Sequence, residues 1–146
     1  MTPTVPIPTF PPEPVAPVSP WNLTYSNNQS SYCIMLSLAA RVDIIYLNEL
    51  NNTVETALDI PDNATVNKQR SKCVPGQSQQ VFSLQFEPSA ASKADLVITF
   101  KQISSNYSTV YEIEFFIEVT KDIFPGILPK YIGNYLSLIY NLSYAV

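Results

Sequence analysis

The sequence predicts an all-β, mostly antiparallel domain from Trp21 onwards, preceded by a disordered, proline-rich hinge or linker over residues 1–20. Apolar and polar residues alternate with a period of two along most of the chain after residue 20, which is typical of strands with one face in solvent. No segment shows the 3.6-residue period of an amphipathic helix. Eight of the 13 prolines lie within residues 1–20, and such a segment is extended and buries no core.

The first strands are predicted in the half of the chain that follows the linker. Residues 21–25 form the first, with Trp21 and the other odd positions on one face. Every even position over residues 34–46 is apolar, which predicts either one long strand or two strands joined by a bend. A short strand is expected at residues 54–60, within an otherwise polar stretch that is rich in Asn.

Three further strands are predicted after the turn at Pro75-Gly76. Their apolar series, each predicted to face the core, are Phe82/Leu84/Phe86, Leu96/Ile98/Phe100 and Tyr111/Ile113/Phe115/Ile117/Val119. Glu112, Glu114 and Glu118 oppose the last series. We therefore expect these glutamates to be exposed on a solvated face; the alternative is a carboxylate cluster for acid–base chemistry or calcium.

The composition limits the classes of function. The chain has 146 residues, enough for one domain, and its net charge of −4 without a basic stripe argues against nucleic acid as a partner. Lys68, Arg70 and Lys72 form the only basic run. It is predicted to be a solvated loop, and a headgroup or polyanion site is the alternative. With no His and no Gly-rich phosphate loop, neither an enzyme nor a cofactor is expected.

Asn-x-Ser/Thr triplets are enriched in this chain. With 11 Asn and 25 Ser plus Thr, chance predicts about 2 triplets, and the sequence has six. Such a triplet accepts a glycan only in a secretory lumen, so the enrichment indicates a lumenal or extracellular protein. Only 14% of the residues are charged, and glycans would supply the missing hydrophilicity. The candidate N-glycosylation sites are Asn22, Asn28, Asn51, Asn63, Asn106 and Asn141.

The two cysteines, Cys33 and Cys73, predict one disulfide, because a lumenal chain with two cysteines has a single pairing available. The alternatives are zinc ligation and a reactive thiol. Without His, two thiols supply too few ligands for a four-coordinate metal site, so no metal is expected.

No targeting segment is visible in the sequence. The first residues lack the basic and apolar regions of a signal peptide, and no apolar run approaches 18 residues. We therefore expect the sequence to be a fragment, an isoform or an incomplete version of a glycoprotein.

Several sequence features follow one another in a recognisable order along the chain. A proline-rich hinge precedes Trp-Asn-Leu-Thr-Tyr at residues 21–25, Cys-Ile-Met-Leu at 33–36 and a second cysteine 40 residues after the first. Phe-Ser-Leu-Gln-Phe at 82–86, Leu-Val-Ile-Thr-Phe at 96–100 and Tyr-Glu-Ile-Glu-Phe at 111–115 continue the series. Over residues 15–120 the chain resembles the lumenal domain of the lysosome-associated membrane glycoprotein family, in its macrosialin-like form.

The resemblance implies a β-prism of bent sheets, each closed by a disulfide. In the family, a transmembrane helix and a short cytosolic tail with a tyrosine sorting signal follow. The family domain has four cysteines, of which Cys33 and Cys73 match the first pair. This sequence ends where the third is expected, so the resemblance implies that the lumenal β domain over residues 21–146 is truncated. Residues 123–129 fit the family poorly.

An immunoglobulin-like sandwich is the structural alternative. That fold expects a Trp between the two cysteines and a Tyr two residues before the second. Here Trp21 precedes Cys33, and Ser71 occupies the tyrosine position. The sequence therefore argues against this fold.

The expected function is structural and protective. The chain would be a glycan-bearing lumenal domain at lysosomal or late-endosomal membranes. The alternative is a secreted or cell-surface recognition or adhesion module that binds a ligand through exposed strands or through residues 47–72. The expected partners are N-linked glycans, and a membrane only through a transmembrane segment that this sequence does not contain. A homo-oligomer is compatible with the sequence.

Overall fold

The computed structural model describes residues 20–104 and 107–141, and for Gln29, Tyr140 and Asn141 only the backbone is described. The predicted proline-rich linker, apart from Pro20, lies outside the described residues.

The described residues form nine strands and one short 3-10 helix. In chain order these are β1 (Trp21–Tyr25), β2 (Asn28–Leu36), β3 (Arg41–Leu47), β4 (Thr53–Asp59), β5 (Thr65–Val66), β6 (Gln79–Ser89), β7 (Ser92–Ser104), β8 (Tyr107–Glu118), the 3-10 helix (Pro129–Tyr131) and β9 (Tyr135–Asn141). The prediction of an all-β, antiparallel fold is confirmed.

The strands form three antiparallel sheets. β1 pairs with β2, and β3 pairs with β4, so the first half of the domain consists of two hairpins. The third sheet has five strands in the order β5-β6-β7-β8-β9. Each strand in this sheet neighbours the next one in the chain, which makes it a meander without crossovers. β9 is one edge of the sheet, and the two-residue strand β5 is the other.

One hydrophobic core joins both hairpins to the five-stranded sheet. The buried residues that the large sheet contributes alternate along its strands and include Phe82, Leu84, Leu96, Ile98, Phe115 and Ile117. Trp21 of β1 and Ile44 of β3 belong to the same core. The indole nitrogen of Trp21 donates a hydrogen bond of 2.6 Å to the carbonyl of Ala64, so its polar atom is satisfied inside the core.

The apolar alternation over residues 34–46 corresponds to two strands, which is one of the two arrangements predicted. β2 ends at Leu36 and β3 begins at Arg41. Between them, the carbonyl of Ala40 accepts a hydrogen bond of 3.0 Å from the amide of Ile60. This bond continues the pairing of β3 with β4 by one residue beyond the pair of Arg41 with Asp59.

The prediction that Tyr111 is buried is wrong, because this side chain is 41% exposed. In the pairing of β7 with β8, Phe100 is opposite Val110 and Thr99 is opposite Glu112. Tyr111 is therefore the extra residue of a β-bulge. The bulge shifts the alternation by one residue, and Val110 takes the position that packs against the core.

The three glutamates of β8 are half-buried, not exposed as predicted; they are Glu112, Glu114 and Glu118. Residues 67–72 cover part of this face of the sheet. The guanidinium carbon of Arg70 lies 4.6 Å from the ring centre of Phe116, and its Nη1 lies 3.4 Å from a carboxylate oxygen of Asp95. The predicted basic loop is exposed at all three basic side chains, and Arg70 also contacts the sheet.

Residues 120–134, where no strand is predicted, close one end of the core. Ile123 and Phe124 are both buried. The ring of Phe124 meets that of Tyr46 edge-on, with 5.4 Å between the ring centres, and the Tyr46 hydroxyl donates a hydrogen bond of 2.7 Å to the carbonyl of Pro125. Residues that fit the resembled family poorly thus contribute directly to the packing of this chain.

Candidate functional site

A disulfide joins Cys33 to Cys73, as predicted, with 6.4 Å between their Cα atoms. Cys33 lies on β2 and Cys73 lies in the segment before β6, so the bond ties the first hairpin to the large sheet. The amide of Ser26 donates a hydrogen bond of 3.0 Å to the Cys73 carbonyl. The tip of the β1–β2 hairpin and the buried half of the disulfide are therefore held together.

The predicted glycosylation sites lie mainly on the two hairpins. Asn22 and Asn28 are on β1 and β2, Asn51 is in the turn between β3 and β4, and Asn63 is in the loop between β4 and β5. All four side chains are exposed. Exposure is the steric condition for a glycan, and these four sites meet it. Their occupancy stays a prediction.

Two further predicted sites are described only in part. Asn106 lies outside the described residues. Asn141 is the last residue of β9, where its backbone pairs in register with Glu112 of β8, and its side chain lies outside the described part of the chain. The structure therefore gives the place of Asn141 in the fold and leaves its exposure as a prediction.

Asn51 has a left-handed backbone, with φ of 62°. Asn tolerates this conformation better than most residues, so the turn favours Asn for backbone reasons as well. The Asn48 side-chain oxygen accepts hydrogen bonds from the amides of Leu50 and Asn52, at 3.0 and 2.9 Å. The amide of Glu49 donates a bond of 2.8 Å to the carbonyl of Gly126. The turn that presents Asn51 is thus rigidly held.

A pair of carboxyl groups lies on the polar face of β8. The hydrogen bond between Glu114 and Glu112 raises the pKa of Glu114 above its ordinary value, and burial and the negative charge of Glu112 raise it further, whereas Arg70 lowers it. On the hairpins, the hydrogen bond from Arg41 lowers the pKa of Asp59, with Nε 2.6 Å from the carboxylate oxygen. Arg41 and Asp59 form an ion pair, and the neighbouring Glu112 accounts for the raised pKa of Glu114, so neither shift requires a catalytic role.

An apolar groove separates the edges of β3 and β9. It contains two cavities, of 460 and 290 Å³, and Leu138 lines both. The larger is bounded by Val42, Phe115 and Ile139, and the smaller by residues that include Tyr46. β3 pairs only with β4 and β9 only with β8 among the described strands, so each of the two strands has one edge without a strand partner. Sequence alternation cannot reveal this groove, because it depends on how the sheets pack.

The residues of the described part of the chain include no group of three or more His, Cys, Asp or Glu that could hold a metal ion. Across the same residues, no helix combines the length and the apolar character needed to cross a membrane. No protein family, curated protein or solved structure matches this chain.

Proposed function

We propose that this chain is a non-enzymatic, glycan-bearing structural domain of a lumenal compartment, and that its role is to present a protective carbohydrate coat. One observation carries the proposal. Each triplet Asn whose side chain is described is exposed, on the hairpins or in the loop that follows them. Other side chains of the same strands pack in the core, so the triplets lie on the faces that point away from it. The lysosomal or late-endosomal address is the finer part of the proposal and is supported by the sequence resemblance.

Exposed apolar residues lie near these sites, and a glycan coat would cover them. Met35 is 60% exposed and is the cross-strand partner of Asn22, and Leu50 is 79% exposed directly before Asn51. Cross-strand partners share one face of a hairpin, so a glycan on Asn22 would cover Met35. With few charged residues to keep the surface soluble, glycans at these positions would shield apolar area from other molecules and from proteases.

The experiment is secretion of the full chain from human cells behind a heterologous signal peptide. Digestion with peptide-N-glycosidase should reduce a ladder of bands to the 16.3 kDa chain, and mass spectrometry should assign glycans to Asn22, Asn28, Asn51 and Asn63. Variants that remove only the hydroxyl residue of one triplet, such as Thr24→Ala, should each remove one band and keep the Asn itself. A single band unchanged by the enzyme would contradict the proposal.

A recognition module is the second candidate, and the groove between β3 and β9 is the observation that favours it. Two strand edges with an apolar lining between them have the chemistry that binds an extended apolar peptide by strand addition. Heptapeptides selected on this protein from a random phage library should lose binding to Leu138→Lys and keep it with Met35→Lys on β2. Equal binding to both variants would exclude the groove as a peptide site.

A further inference from the structure

Tyr25 and Asn28 form a cross-strand pair at the tip of the first hairpin. They flank the two-residue turn at positions 26–27, and the register of β1 with β2 places them opposite each other. Residues directly opposite in an antiparallel pair project from the same face with their Cβ atoms about 5 Å apart. Asn28 is exposed and Tyr25 is half-buried, so a group attached to Asn28 would begin beside a partly covered aromatic ring.

A pocket of 390 Å³ opens at this pair, a volume within the range of about 300–1,000 Å³ that is typical of small-ligand sites. One wall belongs to the hairpin, and the other to residues 75–80 and to β7. The lining residues are Tyr25, Asn27, Asn28, Ser31, Pro75, Gly76, Gln77, Gln80 and Gln102. None of them is charged and five are carboxamides. Carboxamides can donate and accept hydrogen bonds at once, as neutral hydroxyl and acetamido groups require.

The pocket wall is held in place by its own hydrogen bonds. The Gln80 side chain accepts a bond of 3.1 Å from the amide of Val74 and donates bonds of 3.2 and 3.3 Å to the carbonyls of Val74 and Gln77. The adjacent Cys73 is fixed by the disulfide and by the bond from Ser26 to its carbonyl. Because the wall is already ordered, a ligand that enters the pocket loses little free energy to ordering it.

Asn28 itself is held near the pocket mouth. Its side-chain oxygen accepts a hydrogen bond of 3.0 Å from the amide of Ser30, and its side-chain nitrogen lies 3.2 Å from the Ser31 hydroxyl. Among the four triplet Asn residues with described side chains, Asn28 is the one whose cross-strand partner is aromatic. The partner of Asn22 is Met35, and the other two lie in a turn and a loop.

We propose that this pocket is an intramolecular carbohydrate site that binds the first N-acetylglucosamine of a glycan attached to Asn28. The inference rests on the proposed function. In the attachment, the side-chain nitrogen of Asn28 forms a bond to the sugar's C1, the bond from C1 to the diphosphate of a lipid-linked oligosaccharide donor breaks, and the nitrogen loses one proton. The sugar's C–H face then packs on the Tyr25 ring, and the exposed Gln77 and Gln102 amides face its hydroxyl and acetamido groups.

The test is a double-mutant cycle on the full chain, secreted from cells that make only oligomannose glycans. Ser30→Ala removes the glycan while Asn28 stays, and Tyr25→Leu removes the ring while an apolar side chain stays. Ser30→Ala should lower Tm by about 2–6 °C, the size expected for one packed ring contact in a domain of this length. In the Tyr25→Leu background the same change should have no effect. Thr65→Ala, which removes the Asn63 glycan, is the matched control and should not couple to Tyr25.

Trimming locates the contact within the glycan. Endoglycosidase H leaves one N-acetylglucosamine on Asn28, so the Tm difference between the trimmed wild type and Ser30→Ala should remain at its full size. In the trimmed protein, a nuclear Overhauser contact should link the acetyl methyl group of this sugar to the Tyr25 ring. An occupied Asn28 without coupling to Tyr25 would overturn the inference and leave the proposed function standing. An unoccupied Asn28 would also overturn it, and the proposed function would then be judged at the other sites. Binding of free N-acetylglucosamine to the unglycosylated protein, without coupling in the glycosylated one, would overturn the intramolecular assignment.

Discussion

The disulfide gives the most quantitative prediction, which is tested by replacing both cysteines in Cys33→Ala/Cys73→Ala. The bond closes a loop of 40 residues that contains β3, β4 and β5. In the chain-entropy model, such a loop removes about 2.1 + 1.5R ln 40 ≈ 13 cal/mol/K from the unfolded ensemble. At 25 °C this corresponds to about 4 kcal/mol. The two alanines remove only the sulfur atoms, so loss of core packing should add little.

The assay is equilibrium unfolding in urea, followed by tryptophan fluorescence of Trp21, which is buried in the native core. The free energy of unfolding should fall by about 4 kcal/mol. For a domain of about 120 residues, 1 kcal/mol shifts Tm by roughly 4 °C, so the thermal midpoint should fall by about 16 °C. The matched control is the wild type with its disulfide reduced, which should show the same loss.

A loss below about 1 kcal/mol in both the variant and the reduced wild type would refute the reasoning. It would mean that the unfolded chain already keeps the β1–β2 hairpin near the segment before β6, so that the bond restricts little. A large loss in the variant alone would instead assign the effect to side-chain packing around the buried Cys73.

Three further predictions concern single side chains. Phe124→Ala should lower the free energy of unfolding by about 3–5 kcal/mol, because it removes a fully buried ring and its contact with Tyr46; a loss below about 1 kcal/mol in urea would contradict its core position. Because the folded state raises the pKa of Glu114 through Glu112, it binds this proton more tightly than the unfolded chain does, and this contribution to stability is lost as pH rises through the raised pKa. Wild-type stability should therefore rise as pH falls from 7 towards 4.5, the ordinary pKa, and Glu114→Gln should flatten the profile; parallel urea midpoints at pH 7 and 5 would contradict this. Ile139→Lys, on the β9 edge, should reduce self-association in sedimentation velocity without changing the fold, and unchanged association would show that this edge is not the contact.

Period-two alternation predicted the strands because each has one face in the core and one facing outwards. The series Phe82/Leu84/Phe86 is buried throughout, and its strand β6 lies where the alternation places it. The bend between β2 and β3 was one of two arrangements that the sequence left open, because the alternation runs past it without a break in spacing. Local sequence is sufficient for such elements because successive side chains of a strand point to opposite faces, so the apolar positions mark the face that packs against the core.

Other features depend on contacts that alternation does not encode. The bulge at Tyr111 arises from unequal residue counts on β7 and β8, which no single strand reveals. Arg70, which lies in a distant segment of the chain, contacts Phe116 on the same strand as Glu114 and lowers the pKa of Glu114. The pocket beside Asn28 could have been anticipated in part, because a Tyr three residues before the acceptor Asn, across a two-residue turn, marks a cross-strand pair.

The two edges of the large sheet differ in the features that prevent pairing with another chain. β5 is only two residues long, and the basic segment 67–72 follows it, both of which discourage pairing with another chain. β9 has seven residues, none of them charged and none of them Pro, and Ile139, next to its central residue, is 60% exposed. A free edge of this kind associates unless something bulky stands beside it. The strand ends at Asn141, a triplet Asn. We predict that a glycan attached there hinders pairing of the β9 edge with another chain, a hindrance that the uncharged residues of the strand do not supply.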